Sequence, residues 1–178
     1  MNVRVGARVS LWPLNDADRY EFVARARESI DFHRGLVFAP TTVVEFDEYL
    51  ARFDGVNAVG FVVRLNTTKE LAGFVNINHL VWVPERCGAL GYGGFVATAG
   101  HGYVAEAVRL VVRYAFDELR LDRLEADIQP ANAASMRVVE QAGFRPVAAA
   151  PQAIRIAGEW RDHERWAATA KVVSVENV

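Results

Sequence analysis

Cysteine is almost absent from this sequence, which has Cys87 as its single cysteine among 178 residues. One cysteine cannot form a disulfide within the chain, so the cysteine content gives no support for an oxidising compartment. The first ten residues, MNVRVGARVS, lack the long apolar run of a signal peptide or a membrane helix. These absences predict a cytoplasmic protein with no membrane partner.

An excess of charge of one sign is also lacking, because 20 Lys and Arg residues nearly balance 22 Asp and Glu residues. The net charge of −2 supplies no positive field that would attract a polyanion, which argues against nucleic acid as a partner. The sequence contains no repeat, low-complexity run or Pro/Gly-rich linker. The whole chain, residues 1–178, is therefore predicted to form one domain.

The pattern of apolar residues predicts the order of strands and helices. Alternation predicts strands at residues 7–14, 58–65, 71–83, 88–96 and 123–129, and helical spacing predicts helices at 16–30, 102–119 and 132–142. Thr42 and Glu45 form the capping box of another short helix. Two last strands are expected around a turn at Ala157 and Gly158, followed by an irregular tail after Thr169. This order predicts an α/β fold with a mixed sheet and helices on both faces.

The segment GFVATAGHGYVAEAVRL gives the first indication of chemistry. A predicted strand runs through glycine-rich backbone into a helix, whose first N–H groups have no partner within the helix. Gly100 and Gly102 have no side chain to block a close approach, and the helix dipole favours an anion at this end. The segment predicts a phosphate-binding loop, with a simple tight turn as the alternative.

Three motifs follow one another in the second half of the chain: AGHGYVAEA, RLEADIQPANAASMRVVEQAGF and GEWRDHERWA. Together they resemble the RimJ/RimL branch of the GNAT superfamily of N-acetyltransferases, over about residues 88–167. The earlier part is similar only in its order of elements and in the aromatic segment FHRGLVFAP. The resemblance implies a GNAT-like fold with a central, mostly antiparallel sheet, acetyl-CoA as cofactor, and direct attack by a primary amine.

The resemblance also implies which residues bind coenzyme A. Backbone groups of the loop would hold the pyrophosphate, the residues before it would pair with the pantetheine arm, and the N-x-x-S motif and a nearby Arg would lie beside the sulfur and a phosphate. In that order, these residues are Ala99, Gly100, His101, Gly102, Tyr103 and Val104; Phe95, Val96 and Ala97; and Asn132, Ser135 and Arg137. For Arg137, an exposed helix charge is an equal alternative. Ala97 replaces the family's usual Gln or Arg, and His101 its usual Lys or Arg.

Acetyl transfer to an amine needs a base for the ammonium and a proton for the departing thiolate. Alternation along RLEADIQ places Glu125 and Asp127 on one face of a strand. Asp127 is the predicted base, because it stands at the spacing from Asn132 where relatives carry Glu. Glu125 is the second candidate, and a solvated charge is the alternative for Asp127. Relatives often carry Tyr where this chain has Val139, so Ser135 is the predicted donor to the thiolate, unless its hydroxyl only caps the helix.

The acceptor is predicted to meet Asn76, Asn78 and His79 at the end of the second hairpin strand, and Phe32 and His33 in the aromatic segment. No metal site is predicted. The predicted acceptor is a protein N-terminal α-amine, whose reference pKa of about 8 asks less of a base than that of Lys, about 10.4. A small amine such as a polyamine or aminoglycoside is one alternative, and a non-catalytic acetyl-CoA sensor is another. Either a monomer or a homodimer is compatible with the sequence.

Overall fold

The computed structural model describes residues 1–156 and 159–170 of the chain. The strands are β1 (Arg4–Val5), β2 (Val9–Pro13), β3 (Val59–Leu65), β4 (Leu71–Val81), β5 (Cys87–Gly94), β6 (Arg123–Ile128), β7 (Arg145–Ile156) and β8 (Glu159–Thr169). The helices are α1 (Arg19–Glu28), α2 (Ile30–His33), α3 (Val43–Leu50), α4 (Tyr103–Asp117) and α5 (Ala133–Glu140). The predicted turn at Ala157 and Gly158, and the predicted tail from residue 171 onward, lie outside the described residues.

All eight strands join one sheet in the order β1-β2-β3-β4-β5-β6-β8-β7. Every neighbouring pair is antiparallel except β5 and β6, which run parallel. The predicted mixed, mostly antiparallel sheet is confirmed. Strand β1 has only two residues, too few to show an alternating pattern, and was not predicted. No helix in the described ranges is long and apolar enough to cross a membrane.

Helices cover both faces of the sheet, as predicted, and each face has its own core. Along β3, Phe61 and Val63 point into the core that contains the apolar stripe of α4, whereas Val62 points into the core that contains α1 and α3. Val111 of α4 and Phe22 of α1 are fully buried in these two cores. Burial of each such side chain contributes about 1.5–3 kcal/mol to folding.

Short-range signals place the first helices. Thr42 Oγ1 accepts a hydrogen bond from the Glu45 N–H (3.2 Å), and the Glu45 carboxylate accepts one from the Thr42 N–H (3.1 Å), which confirms the capping box. The helix predicted at 16–30 is instead a short 3-10 turn followed by α1, and α2 begins after Ser29. The Ser29 hydroxyl donates to the Arg25 carbonyl (2.7 Å) and accepts the Val96 N–H (3.0 Å), so this break connects the helix to the end of β5.

The sheet opens between β5 and β6. These strands are paired only from Cys87 with Arg123 to Ala89 with Glu125. Beyond this point β5 stays paired with β4, and β6 stays paired with β8. The strands leave a gap in the middle of the sheet, with strand edges that can meet a ligand.

Candidate active site

Two clefts open into the gap between β5 and β6. The larger has a volume of about 580 Å³ and runs along the first turn of α4 and one side of α5. The smaller has a volume of about 230 Å³ and lies between β4, β6 and the end of α3. Tyr92, Asn132 and Ser135 line both clefts, together with Leu36 and Val37 of the aromatic segment. Two ligands, one in each cleft, would therefore meet beside these residues.

The larger cleft contains the glycine-rich start of α4. Gly100 and Gly102 have φ angles of 80° and 74°, a conformation that glycine adopts without strain. The first helical hydrogen bond runs from the Glu106 N–H to the Gly102 carbonyl (3.1 Å), so the N–H groups of residues 103–105 have no partner within the helix. No described side chain caps this end. The loop has the geometry of an anion site.

Arg8, the residue before β2, holds the loop at the start of α4 in place. Its guanidinium donates to the His101 carbonyl (2.8 Å) and to Oε2 of Glu106 (2.9 Å). Burial raises the pKa of Glu106, but hydrogen bonds from Arg8 and from the Val9 N–H outweigh this and hold that pKa below its usual value. Because Arg8 donates to the His101 carbonyl, the partial negative charge of that oxygen is offset beside the anion expected at this loop.

Asn132 and Ser135 have different roles at the start of α5. The Asn132 Oδ1 accepts the Ser135 N–H (3.1 Å) and so caps the helix. The Ser135 hydroxyl is left for another partner, and its Oγ lies 2.5 Å from the Tyr92 Oη. Tyr92 is also within 2.9 Å of the Ser135 carbonyl. Burial raises the pKa of Tyr92 to about 12, although the contact with Ser135 acts against this, so the phenol stays neutral and can donate.

Asp127 lies in the smaller cleft, but it is not free. The register of β6 and β8 places Arg165 directly opposite. Arg165 donates to both carboxylate oxygens of Asp127, at 2.8 and 2.9 Å. These bonds with Asp127 raise the pKa of Arg165 further above its usual value, so the cation persists. Glu125 instead accepts a hydrogen bond from Arg123 (2.8 Å) and lines neither cleft.

The sequence profile of the GNAT acetyltransferase domain matches residues 8–145. The chain belongs to the GNAT acetyltransferase family. The cofactor of this family is acetyl-CoA. The resemblance to this superfamily that the three motifs indicated is therefore confirmed.

The chain is similar to curated N-acetyltransferases over part of its length. The probable N-acetyltransferase YjcK of Bacillus subtilis is 38% identical over 117 residues, which are 66% of this chain and 65% of that protein. The ribosomal protein uS5 alanine N-acetyltransferase of Escherichia coli is 30% identical over 95 residues, 53% of this chain and 49% of that enzyme. The matched part of the chain thus spans 65% of the first and 49% of the second of these curated relatives.

The fold is also that of solved acetyltransferases. The spermidine N-acetyltransferase of Vibrio cholerae, solved with CoA and spermine, aligns with a TM-score of 0.80 at 17% identity, covering 95% of this chain and 99% of that one. This similarity confirms the predicted GNAT fold. It leaves the acceptor of the present GNAT protein to be inferred from its own residues.

The part of β5 that lines the larger cleft lies slightly earlier in the chain than the residues predicted to pair with the pantetheine arm. In this GNAT protein β5 ends at Gly94, and Phe95 is fully buried. The Phe95 N–H donates to the Ala72 carbonyl (3.3 Å), and Ser29 holds the N–H of Val96. Phe95, Val96 and Ala97 line neither cleft, because a 3-10 turn already begins there. The residues of β5 that line the larger cleft are Tyr92, Gly93 and Gly94.

The other predicted coenzyme residues are distributed as follows. Of the loop residues, Ala99, Gly100, Gly102, Tyr103 and Val104 line the larger cleft, and so do Asn132, Ser135 and Arg137. His101 is exposed, stacks against Tyr103 with 5.5 Å between ring centroids, and does not line the cleft. Arg137 is exposed and has no ion pair among the residues described, which leaves its charge available.

The predicted acceptor residues separate into three groups. Asn76 and Asn78 line the smaller cleft. Phe32 and His33 line the larger cleft instead, where the His33 Nε2 hydrogen-bonds the Gly94 carbonyl at 2.8 Å. His79 lines neither cleft, because β4 bulges between Asn78 and Val81 and His79 is exposed with a φ of 51°.

Sequence reasoning missed Tyr92, Tyr49, Arg52 and His163, all of which line the smaller cleft. Tyr92 stands alone among glycines in the segment GYGG, a contrast that sets the residue apart but does not indicate its partner. Val139, where relatives often carry Tyr, is fully buried in the core and lines neither cleft. The hydroxyl beside Ser135 comes from β5, a different element from the one that the family pattern suggested.

Proposed function

We propose that this GNAT protein transfers the acetyl group of acetyl-CoA to a primary amine, and that the acceptor is the N-terminal α-amine of a peptide. One observation carries the proposal: the larger and smaller clefts meet at Ser135 and Tyr92. Direct transfer between two bound molecules needs such a meeting point, because proximity and orientation supply much of the rate enhancement.

The residues of the larger cleft fit coenzyme A. Uncapped N–H groups at the start of α4 suit its pyrophosphate, and the β5 edge at Gly93 suits its amide-containing arm. A Cβ added at Gly93 would lie 2.6 Å from Phe74 and 2.8 Å from Val37, so a glycine keeps this edge close to the cleft wall. Exposed Arg137 is available for a phosphate. When bound, acetyl-CoA supplies a thioester whose acyl carbon the amine attacks, with release of the thiol.

Ser135 and Tyr92 supply hydrogen bonds to the negative charge that develops on the departing sulfur, and the proton that completes the thiol comes from solvent. The Ser135 hydroxyl faces both clefts and can donate to a developing thiolate. The single hydrogen of the Tyr92 phenol is directed at the Ser135 carbonyl (2.9 Å) at rest, and it can be shared with the Ser135 Oγ, 2.5 Å away, when the Ser135 hydroxyl donates to the sulfur. Because burial keeps the Tyr92 phenol protonated at neutral pH, this pair acts as a donor and does not act as a base.

The proton of the acceptor ammonium needs a second group. Asp127 remains the proposed base from the sequence, but it would have to use lone pairs that Arg165 leaves free. The imidazole of His163 also lines the smaller cleft, and because its Nδ1 hydrogen-bonds the Arg161 carbonyl (2.9 Å), its Nε2 is the nitrogen left to accept a proton in the neutral ring. Because an α-amine has a reference pKa of about 8, only a weak base is needed to deprotonate it near neutral pH, and either Asp127 or His163 could serve.

A peptide fits the smaller cleft better than a polyamine does. The uS5 alanine N-acetyltransferase relative supports a peptide acceptor, and the spermidine N-acetyltransferase fold supports a polyamine. The cleft's one lining carboxylate, Asp127, already has Arg165 as its counter-ion. A polycation would find no unpaired carboxylate among the described residues that line this cleft.

The test is a comparison of acceptors with the purified protein. Thiol release from acetyl-CoA is followed with N-terminal peptides, spermidine and an aminoglycoside, and products are identified by mass spectrometry. We expect mono-acetylated peptide N-termini and slower turnover of the polyamine. Coenzyme A binding without amine-dependent thiol release would refute the enzymatic proposal and support a sensor. Preferred acetylation of spermidine would refute the peptide assignment alone.

A further inference from the structure

The charges around the smaller cleft are unbalanced toward the positive. Its lining residues include one guanidinium, that of Arg52, and one carboxylate, that of Asp127. Asp127 is paired with Arg165 through two hydrogen bonds. Arg52 is exposed at the rim and has no carboxylate partner in the described parts of the chain. The remaining unpaired charge at this cleft is therefore that of the Arg52 guanidinium.

The neutral polar groups of the cleft are oriented by Arg52. Since a guanidinium only donates, the Asn78 Oδ1 must be the acceptor in its 3.2 Å contact with Arg52. The Asn78 Nδ2 then donates to the Asn76 Oδ1 (2.6 Å), and the Asn76 Nδ2 donates to the Tyr49 Oη (2.8 Å). All three hydrogen bonds run in one direction, from the rim of the cleft to its interior.

The end of this chain of hydrogen bonds is a donor. Tyr49 Oη accepts from Asn76, so its own hydrogen is left for a partner in the cleft. Burial raises the pKa of Tyr49 to about 12, and the phenol therefore keeps this hydrogen at neutral pH. The Arg52 guanidinium lies 5.7 Å from the centre of the same ring. Arg52 and Tyr49 together present N–H and O–H donors to whatever enters.

We propose that the acceptor carries a carboxylate close to its reacting amine, as in a peptide with Asp or Glu next to its N-terminal residue, and that Arg52 selects it. The inference rests on the proposed acetyltransferase function and specifies its substrate class. Donors and an unpaired cation match carboxylate oxygens, while a second amine in the same place would meet like charge and a missing acceptor. Arg52 is exposed, so its contribution is selective and modest in size.

Binding of matched peptides tests this inference without requiring turnover. Three peptides share an N-terminal Ala and differ only at position 2, which is Glu, Gln or Lys. Titration calorimetry in the presence of coenzyme A should give tighter binding of the Glu peptide than of the Gln peptide by about two- to fivefold, the range expected for an exposed pair, and a larger difference from the Lys peptide, whose cation is also repelled. Raising NaCl to about 0.5 M should reduce the difference, because exposed charges are then screened.

Variants assign the effect to Arg52. Arg52→Gln should bring the Glu and Lys peptides within about twofold of each other, and Arg52→Glu should reverse the order. Arg113→Gln, at an exposed position of α4 that lines neither cleft, is the control and should keep the wild-type order. Equal binding of the three peptides, or tighter binding of the Lys peptide or spermidine, would overturn the inference. Peptide acetylation without charge preference would overturn it and leave the proposed function standing, whereas charge-selective binding without acetylation would do the reverse.

Discussion

The contact between Tyr92 and Ser135 gives the sharpest test of the proposed chemistry. Tyr92→Phe removes one oxygen and keeps the ring, so the main losses are the hydrogen bonds to the Ser135 Oγ (2.5 Å) and carbonyl (2.9 Å). A hydrogen bond of this kind is worth about 0.5–1.5 kcal/mol of stability, and the variant should remain folded. Tyr114→Phe, a partly buried tyrosine of α4 that lines neither cleft, is the stability control.

The expected kinetic effect is larger than the structural one. Losing one donor to a developing negative charge costs about 2.7–4 kcal/mol at a full oxyanion site. Ser135 serves a sulfur, which is a weaker acceptor, so we expect about 1.4–2.7 kcal/mol, a loss of about ten- to a hundredfold in turnover. Ser135→Ala should show this loss fully, and Tyr92→Phe should show part of it. The KM for acetyl-CoA should change little, because the donor acts mainly in the transition state.

A double-mutant cycle separates this mechanism from simple packing. If Tyr92 acts only through Ser135, the double variant should be no slower than Ser135→Ala alone. Turnover is measured by thiol release at saturating acetyl-CoA. Independent, multiplicative losses would refute the relay, and so would a Tyr92→Phe enzyme with wild-type turnover. Because burial raises the pKa of Tyr92 to about 12, its ionisation should produce no loss of activity near neutral pH.

Three further predictions follow from individual contacts. Gly102→Ala and Gly55→Ala each place a side chain at a positive φ, 74° and 77°, and should each cost about 1–2 kcal/mol of stability, but only Gly102→Ala should weaken coenzyme A binding in calorimetry. Asp127→Asn and His163→Gln should be compared by pH–rate profile, and the variant that loses the ionisation controlling activity at low pH identifies the base. The lowered pKa of Glu106 stabilises the fold at pH values above the usual pKa of 4.5, and this stabilisation is lost as the pH falls through the lower folded pKa. The melting temperature of Glu106→Gln should therefore depend less on pH than that of the wild type between about pH 6 and about pH 3. Parallel curves of melting temperature against pH would contradict this.

The features that the sequence predicted correctly depend on interactions within a few residues. The capping box of Thr42 and Glu45 joins positions three apart, and the glycine-rich start of α4 is read from one short segment. The strands of the sheet follow from alternation, which is also local. The predicted ends of helices were less accurate where a residue far along the chain influences them. Ser29 lies at the break between α1 and α2, and its hydroxyl accepts a hydrogen bond from the distant Val96 N–H.

The features that escaped prediction connect residues far apart in the chain. Tyr92 lies 43 positions from Ser135, and Arg8 lies 98 positions from Glu106. The residue types at these positions give no sign of the pairing, because a tyrosine in an alternating strand is equally typical of a core. The packing of α4 against β2 and of α5 against β6 brings these residues together, and neither packing is encoded in a short motif.

Asp127 shows how such a distant contact changes chemistry as well as structure. The polar face of β6 makes it a reasonable base, yet the register with β8 places Arg165 opposite and commits both of its oxygens. In the proposed selectivity, the same pair offsets the negative charge that would attract a polyamine and leaves the cation of Arg52 to set the preference of the cleft. If Arg165→Gln frees Asp127, the variant should gain affinity for the Lys peptide and lose the preference for Glu. A variant that stays folded and keeps the wild-type preference would show that Arg165 does not set the charge of the cleft.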